Sequence, residues 1–449
     1  MHRFTLTLLS LILVSAFLPP TQPNPPPLDT DTQVRIRWCY PVFSGGGYSS
    51  EGTTFVLALH ELFLDKPNWT VTINQHGDGF NRNFLKGLDS KTRNILQELE
   101  QKDYERELDS YEVSICHSEP GAWNVLGGPR WNTPLCPPAN RMYSNRETQD
   151  ERQVFVGRTM FETDRLPEGW ELRINAMDEV WVPSKFSQEI FLNGGVTKPV
   201  LILGEGVDTD FFNPKIAGHS FDHLKPTSET FVFLSVFKFE ERKGYDVLLD
   251  SYFTTFTQND DVLLLLLISD YHGSGLASLK AYTEKLGYDV DSGPKIKVVH
   301  DIPQQKLPDL YAAADAFVLP SRGEGWGRPH VEAMSMALPI LVTNFSGPTE
   351  FITSENSFPI QVEEMVELKE GAFRGHRWAE PSRENLRFNM AMVFRHREVG
   401  VRRGKQARRD MVTRFAPKII AQEVIDRVEV LVNSRRLENK RSSKKSEEL

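Results

Sequence analysis

Two glutamates and three glycines in one short segment are the residues of this chain best suited to chemistry. Glu324 and Glu332 stand eight positions apart, and Gly323, Gly325 and Gly327 lie beside and between them. Glycine lets a backbone approach a ligand closely and present bare N–H groups to it. Carboxylates accept hydrogen bonds from hydroxyl groups. Together these residues predict a loop that holds a ligand rich in hydroxyl groups.

This segment joins a predicted strand to a predicted helix. The run Ala316 to Leu319 is apolar, and Pro329 suits the first helical position because its missing N–H would have no intrahelical partner. The helix then directs its positive end at the glycine-rich joint, and such an end favours phosphate. The pattern predicts a nucleotide-sugar pocket, although a solvated helix glutamate after an ordinary α/β loop would give the same spacing.

Four segments, in the expected order, resemble motifs of one family of enzymes. Glu324 and Glu332, with Gly325-Trp326-Gly327 between them, resemble the E-x7-E motif of the retaining glycosyltransferases of family four, or glycosyl transferases group 1. The other three segments resemble the family's interdomain signature, its phosphate-binding strand and turn, and its next strand end with a glycine loop: 206–212, 233–244 and 343–350. The resemblance implies a GT-B fold.

The resemblance also implies which residues bind the donor, a UDP- or GDP-sugar. They are Gly46, Gly47, Lys238, Lys243, Gly325, Trp326, Gly327 and Glu332. Glu332 is expected to accept hydrogen bonds from the ribose hydroxyls, and Lys243 to neutralise the diphosphate. Lys238 stands where the family has an arginine, and an ammonium lacks the bidentate fork of a guanidinium. Arg242, next to Lys243, could compensate.

His117 and Glu324 are the catalytic residues that the resemblance implies. The family places a histidine close to the transferred sugar, where it contacts the sugar instead of acting as a general base. Glu324 is expected to accept hydrogen bonds from the sugar hydroxyls. Glu162 and Asp164 are candidates for the acceptor side, although solvated surface carboxylates would look the same.

The reaction that the resemblance implies is transfer of the sugar, with retention of configuration, to a hydroxyl of a glycan, lipid or small-molecule acceptor. No cofactor is expected beyond the nucleotide-sugar co-substrate. No metal is expected either, because cationic side chains and a helix end offset the diphosphate charge; the D-x-D patterns at 29–31 and 208–210 fall in a linker and in the interdomain signature. Two alternatives stay open: a protein that binds a nucleotide sugar or glycan without turnover, favoured by Lys238, and a glycoside phosphorylase.

Strands alternate with helices twice along the chain, which predicts two parallel sheets covered on both faces. A chain of 449 residues has room for two such domains, and its net charge of −9 argues against a nucleic-acid partner. We predict an α/β protein with two Rossmann-like domains facing a central cleft (GT-B) and C-terminal helices. The predicted regions are an acceptor-side domain, a nucleotide-sugar-binding domain, C-terminal helices and a basic disordered tail: 33–205, 206–395, 396–434 and 435–449.

Residues 1–32 differ in kind from the rest. Arg3 precedes an apolar run, Phe4 to Leu18, and a proline-rich stretch. This pattern predicts either a cleaved signal peptide or a membrane anchor with a stem, and both stay open. We accordingly expect a secretory-pathway protein of the endoplasmic reticulum or Golgi, lumenal or single-pass, with a usable glycosylation sequon at Asn68. Cys39 and Cys116 are expected to be buried thiols, and the oligomeric state is left open.

Overall fold

The structure is a computed structural model of the chain. It describes residues 28–29, 31–106, 111–123, 136–137, 153–269, 275–285, 287–288, 292–300 and 302–447. The predicted signal peptide or anchor, Phe4 to Leu18, lies outside the described residues.

A parallel sheet of six strands organises the described part of the N-terminal domain. Its strands in chain order are β1 (Val34–Tyr40), β2 (Trp69–Gln75), β3 (Val113–His117), β4 (Val154–Arg158), β5 (Glu179–Val182) and β6 (Val200–Ile202). They lie side by side in the order β2-β1-β3-β4-β5-β6. The helices are α1 (Gly47–Phe63), α2 (Arg82–Gly87), α3 (Ser90–Tyr104), α4 (Trp170–Ile174) and α5 (Lys185–Asn193).

A second parallel sheet of six strands organises the described part of the C-terminal domain. Its strands are β7 (Phe231–Lys238), β8 (Val262–Ser269), β9 (Lys295–Val299), β10 (Ala316–Leu319), β11 (Ile340–Thr343) and β12 (Phe358–Ile360), in the order β12-β11-β10-β7-β8-β9. A hairpin of β13 (Val362–Glu367) and β14 (Arg377–Pro381) follows. The helices are α6 (Tyr245–Thr255), α7 (Gly275–Lys285), α8 (Leu307–Ala312), α9 (Arg328–Ser335), α10 (Arg383–Arg395), α11 (Arg397–Arg414) and α12 (Pro417–Glu447).

The predicted pair of Rossmann-like domains is confirmed. Leu263 to Leu266 in the middle of β8 are buried on both faces of the sheet, as their unbroken apolar run predicts. In sheets of this kind ligands bind beyond the carboxyl ends of the strands. The segments that resemble family motifs follow β7, β10 and β11 at that edge.

The chain crosses between the domains twice. It leaves the N-terminal domain after β6, and it returns at α12, which packs on α1. The two crossings touch, because the N–H of Val207 donates to the carbonyl of Phe415 at 2.9 Å. The residues predicted as a disordered tail continue α12 as far as Glu447. Arg435, the first residue of this segment, contacts the N-terminal domain, since its Nη2 lies 2.7 Å from Oδ1 of Asp178.

The prediction of a free thiol at Cys116 is wrong. Cys116, at the end of β3, forms a disulfide bond with Cys136. Cys39 is a buried free thiol and is the neighbour of Cys116 in the register of β1 and β3. The partner, Cys136, lies in the long connection between β3 and β4, for which the sequence offers no strand pattern.

Helix α11 packs so closely on the turn after α9 that one position admits only glycine. A Cβ atom on Gly404 would lie 2.0 Å from the carbonyl oxygen of Ala337, whereas one on Gly400 would meet a movable Val393 methyl group at 2.9 Å. We expect Gly404→Ala to lower the free energy of unfolding by about 3 kcal/mol through overpacking. Gly400→Ala should change it by less than about 1 kcal/mol, because alanine's helix propensity offsets the small shift. Urea denaturation would measure the free energy of unfolding of both variants. Equal losses would contradict the close contact between Gly404 and Ala337.

Candidate functional site

The segment 320–327, between β10 and α9, lies against the N-terminal domain. A Cβ atom on Gly323 would lie 2.3 Å from the carbonyl oxygen of Glu162, and one on Gly325 would lie 2.3 Å from Sδ of Met160. Larger residues at these positions would push the loop after β4 away from the segment. At these two glycines, the group that comes close to the backbone belongs to the N-terminal domain.

The turn after β7 is locked to this glycine-rich segment. Gly244 follows the single helical turn Glu241–Lys243 with φ of +65°, and a Cβ there would lie 2.0 Å from the carbonyl oxygen of Pro320. The N–H of Arg322 donates to the carbonyl of Arg242 at 2.7 Å. The two motifs are therefore in direct backbone contact.

Arg322 is the buried cation that stabilises this junction. Its guanidinium donates to both carboxylate oxygens of Asp246 at 2.8 and 2.7 Å, and to Glu380 at 2.7 Å. It also donates to the carbonyl of Glu241 at 2.7 Å. Sequence analysis missed Arg322, although it stands two residues before Glu324.

Glu324 lies between two cations. Nζ of Lys243 donates to both of its carboxylate oxygens at 2.8 Å, and Nη1 of Arg242 donates to one of them at 3.2 Å. Burial alone would raise the pKa of Glu324, but the charges of Lys243 and Arg242 outweigh it and lower that pKa to about 2. Burial likewise lowers the pKa of Lys243, against the attraction of Glu324. The predicted residues Glu324 and Lys243 are thus brought together.

Arg242 contacts two further carboxylates. Its Nε lies 3.3 Å from Glu162 of the N-terminal domain, and its Nη2 donates to Glu240 at 3.0 Å. Its Nη1 also donates to the carbonyl of Gly323 at 2.7 Å. The guanidinium therefore connects the turn, the glycine-rich segment and the opposite domain.

The loop after β11 supports Glu324 from the other side. The N–H of Glu324 donates to Oγ of Ser346 at 2.9 Å, and the N–H of Gly347 donates to the carbonyl of Glu324 at 3.0 Å. Ser346 holds a left-handed φ of +57°, which is costly for a residue with a side chain. Such strain persists only where surrounding contacts enforce it.

Glu332 occupies the first turns of α9. Tyr311 donates to its Oε2 at 2.8 Å, and burial raises the pKa of Glu332. Trp326, also predicted to bind the donor, is only 2% exposed, and its ring packs on Phe351 and Phe415. The side chain of Trp326 therefore serves packing in this structure, as large buried aromatic rings commonly do.

The glycine-rich loop of the N-terminal domain borders open space. Helix α1 begins at Gly47, and its N-cap, Gly46, has no capping side chain. A Cβ on Gly47 would meet nothing within 4 Å, whereas one on Gly46 would lie 3.5 Å from Oδ2 of Asp78. The first amides of α1 are therefore accessible to a ligand. Lys238, at the end of β7, is partly exposed at the same edge of the other sheet.

His117 is completely buried, and both ring nitrogens have neighbours. The indole N–H of Trp38 donates to Nδ1 at 3.1 Å. Because an indole can only donate, Nδ1 carries a lone pair and the proton resides on Nε2. That atom lies 2.9 Å from Oε2 of Glu51, whose other oxygen is 2.6 Å from Nη2 of Arg158. Burial alone would raise the pKa of Glu51, but the charge of Arg158 and the contacts with Arg158 and His117 outweigh it and lower that pKa to about 2.

Trp38, Glu51 and Arg158 were missed by sequence analysis. The available signals were a glutamate inside the apolar-periodic α1 and an arginine that ends the apolar strand β4. The D-x-D pattern at 208–210 forms a local turn, in which Oδ1 of Asp208 accepts from the N–H of Asp210 and of Phe211 at 3.1 and 2.9 Å.

Comparison with known proteins finds similarity to a family of enzymes within the C-terminal domain. Residues 219–370 match the family model described as glycosyl transferases group 1. The chain is 24% identical over 228 residues to a D-inositol 3-phosphate glycosyltransferase from Streptosporangium roseum, which covers 49% of this chain and 51% of the relative. It is 31% identical over 121 residues to mannosylfructose-phosphate synthase from Agrobacterium fabrum, and this alignment covers 26% of each protein. The chain thus spans about half the length of the first curated relative it matches.

The fold also matches a solved structure. HepE from Anabaena, in complex with UDP and glucose, superposes with a TM-score of 0.62 and covers 88% of this chain and 99% of its own. Sequence identity over that superposition is 15%, so the likeness concerns the fold.

The predicted location in the endoplasmic reticulum or Golgi is wrong. The relatives from Streptosporangium roseum and Agrobacterium fabrum are bacterial, and bacteria have neither compartment. Within the residues that the structure describes, no helix combines the length and apolar character needed to cross a membrane.

The buried pairing of Glu324 should make stability depend on pH. Because the folded pKa is about 2, below its ordinary value of 4.5, the stabilisation is complete above pH 4.5 and is lost as pH falls toward 2. We expect the stability difference between the parent and Glu324→Gln to shrink by about 1 kcal/mol between pH 7 and pH 4. Urea denaturation at both pH values measures it, with Glu363→Gln on exposed β13 as the control. A constant difference would contradict the pairing.

Proposed function

We propose, from the premise that residues 219–370 make this chain a member of the glycosyl transferases group 1 family, that it is a retaining glycosyltransferase. It moves a sugar from a UDP- or GDP-sugar to an acceptor hydroxyl. The observation that carries the proposal is the convergence of Lys243, Arg242 and Glu324 where the two motifs meet. A departing nucleoside diphosphate needs cations placed where its charge develops, and a sugar needs acceptors for its hydroxyls.

The proposal assigns the remaining donor contacts to two further groups. Glu332 accepts hydrogen bonds from the ribose, with Tyr311 holding its carboxylate in place. The amide of Gly47, at the uncapped start of α1, faces the donor or acceptor from the other domain, where oriented N–H groups and the helix end favour an oxyanion. The binding of UDP by HepE, a protein of the same fold, supports a nucleoside-diphosphate donor.

We assign His117 a positioning role. Its ring is closed off by Trp38 and Glu51, and Glu51 lies on α1, four residues after Gly47. Holding Glu51 fixes the start of α1 and the orientation of its first amides. The acceptor hydroxyl then loses its proton to the departing diphosphate oxygen on the same face of the sugar, which is the route that gives retention without a protein nucleophile.

The proposed reaction proceeds without a metal ion. Lys243 and Arg242 supply two positive charges within 3.2 Å of Glu324, and the amino end of α9 adds a partial charge. These groups do the work that a divalent cation does in other glycosyltransferases. Full activity in the presence of a chelator is the expected result.

Glu324→Gln tests the function. The parent should hydrolyse one member of a panel of UDP- and GDP-sugars slowly without acceptor. The variant should lose more than about 100-fold in turnover, because the carboxylate that accepts from the sugar is gone. Glu363→Gln should behave as the parent.

Binding of UDP or GDP, measured by calorimetry, should survive in Glu324→Gln within about tenfold. A parent protein that binds a nucleotide sugar but turns none over would contradict the enzyme and favour a binding protein. Loss of activity in EDTA with recovery in manganese would contradict the metal-free mechanism.

A further inference from the structure

One ion pair at the proposed donor site joins the two domains. Nε of Arg242 lies 3.3 Å from Oε1 of Glu162, which follows β4 of the N-terminal domain. The same guanidinium lies 3.0 Å from Glu240 and 3.2 Å from Glu324. Three carboxylates therefore surround one guanidinium, and Lys243 is the second cation of the cluster.

The net charge of this cluster disfavours the binding of a diphosphate. Glu162, Glu240 and Glu324 carry three negative charges, while Arg242 and Lys243 carry two positive ones, so the cluster has a net charge of −1. A nucleotide sugar would bring about two more negative charges to the same cations, and like charges at this range repel strongly in a partly buried site. At least one carboxylate must give up its contact.

Glu162 is the carboxylate best placed to leave. Glu324 is held by both oxygens on Lys243 and by the backbone of the loop after β11. Glu240 belongs to the same turn as Arg242, and its side chain is 43% exposed, so water already screens it. Glu162 comes from the opposite domain, and its contact with Arg242 is the longest of the three.

We propose that Arg242 binds the diphosphate of the donor and that Glu162 is the counter-ion which the diphosphate replaces. This inference rests on the proposed function. Before the donor arrives, Glu162 holds the guanidinium at the cleft. Afterwards Arg242 supplies the bidentate cation that the family has at the position of Lys238. The carboxylate of Glu162 is then free on the acceptor side of the cleft.

The exchange needs a side-chain rotation and leaves the backbone in place. The residues after Glu162 stay docked on the C-terminal hairpin, where Oγ1 of Thr163 lies 2.7 Å from Nδ1 of His376. The N–H of Arg377 donates to Oδ1 of Asp164 at 2.7 Å. Arg242 also keeps its direction, because Nη1 donates to the carbonyl of Gly323 with or without Glu162.

The test measures binding of UDP, and of inorganic pyrophosphate as a probe without a base, to the full chain by calorimetry. Glu162→Gln keeps the shape of the side chain and removes its charge. We expect it to tighten both ligands about tenfold and to lower the donor KM. Glu240→Gln, the matched control on the same guanidinium, should change binding less than about twofold.

Arg242→Gln should weaken both ligands about 30-fold or more while the melting temperature stays within a few degrees. In that background Glu162→Gln should have no further effect, since the two residues act on one contact. A structural role for Glu162 would instead give weaker binding together with a lower melting temperature.

Two results would overturn the inference. Nucleotide binding in Glu162→Gln that is unchanged or weaker than in the parent would show that Glu162 does not compete with the diphosphate, while the proposed function stands. A parent that binds none of UDP, GDP and pyrophosphate would overturn the proposed function and this inference together.

Discussion

A carboxylate buried between two cations is the interaction on which the site depends. Glu324 is 6% exposed, and its charge is tolerable there because Lys243 and Arg242 satisfy it. Removing both cations would leave an unpaired buried charge, which costs about 3–5 kcal/mol. The surrounding features, the locked turn at Gly244, the Arg322 junction and the strained Ser346, all hold these three side chains at hydrogen-bonding distance.

The same cluster explains how the domains come together. The N-terminal domain reaches it through Glu162, whose carbonyl rests on Gly323 and whose carboxylate meets Arg242. Apolar contact adds to this, since Phe161 packs on Phe373 of the hairpin with 4.9 Å between ring centroids. Charge and packing thus hold Glu162 of the N-terminal domain against the turn that carries Arg242 and Lys243.

The sequence predicted what depends on local pattern and missed what depends on distant partners. Apolar runs predicted the strands, and the structure brings together Glu324 of the E-x7-E segment and Lys243, which the sequence analysis had assigned to one site. Burial of His117 depends on Trp38, 79 positions away, and on Glu51, while the disulfide of Cys116 depends on a residue in a patternless connection. As a tryptophan, Trp326 could stack on a ligand. Only the positions of Phe351 and Phe415 show that its ring packs in the core.

The buried carboxyl groups where the chain crosses between the domains are paired differently from Glu324. Glu51 and Glu205 are both 1% exposed and near one another, with Arg158 and Arg328 beside them. Arg158 lowers the pKa of Glu51, whereas burial and the charge of Glu51 raise that of Glu205 well above its usual range. The nearest cation to Glu205 in this group is Nη1 of Arg328, 3.7 Å from its Oε2. The two oxygens of Glu324, by contrast, both lie 2.8 Å from Nζ of Lys243. The carboxyl at the crossing is thus paired less closely than the one between Lys243 and Arg242.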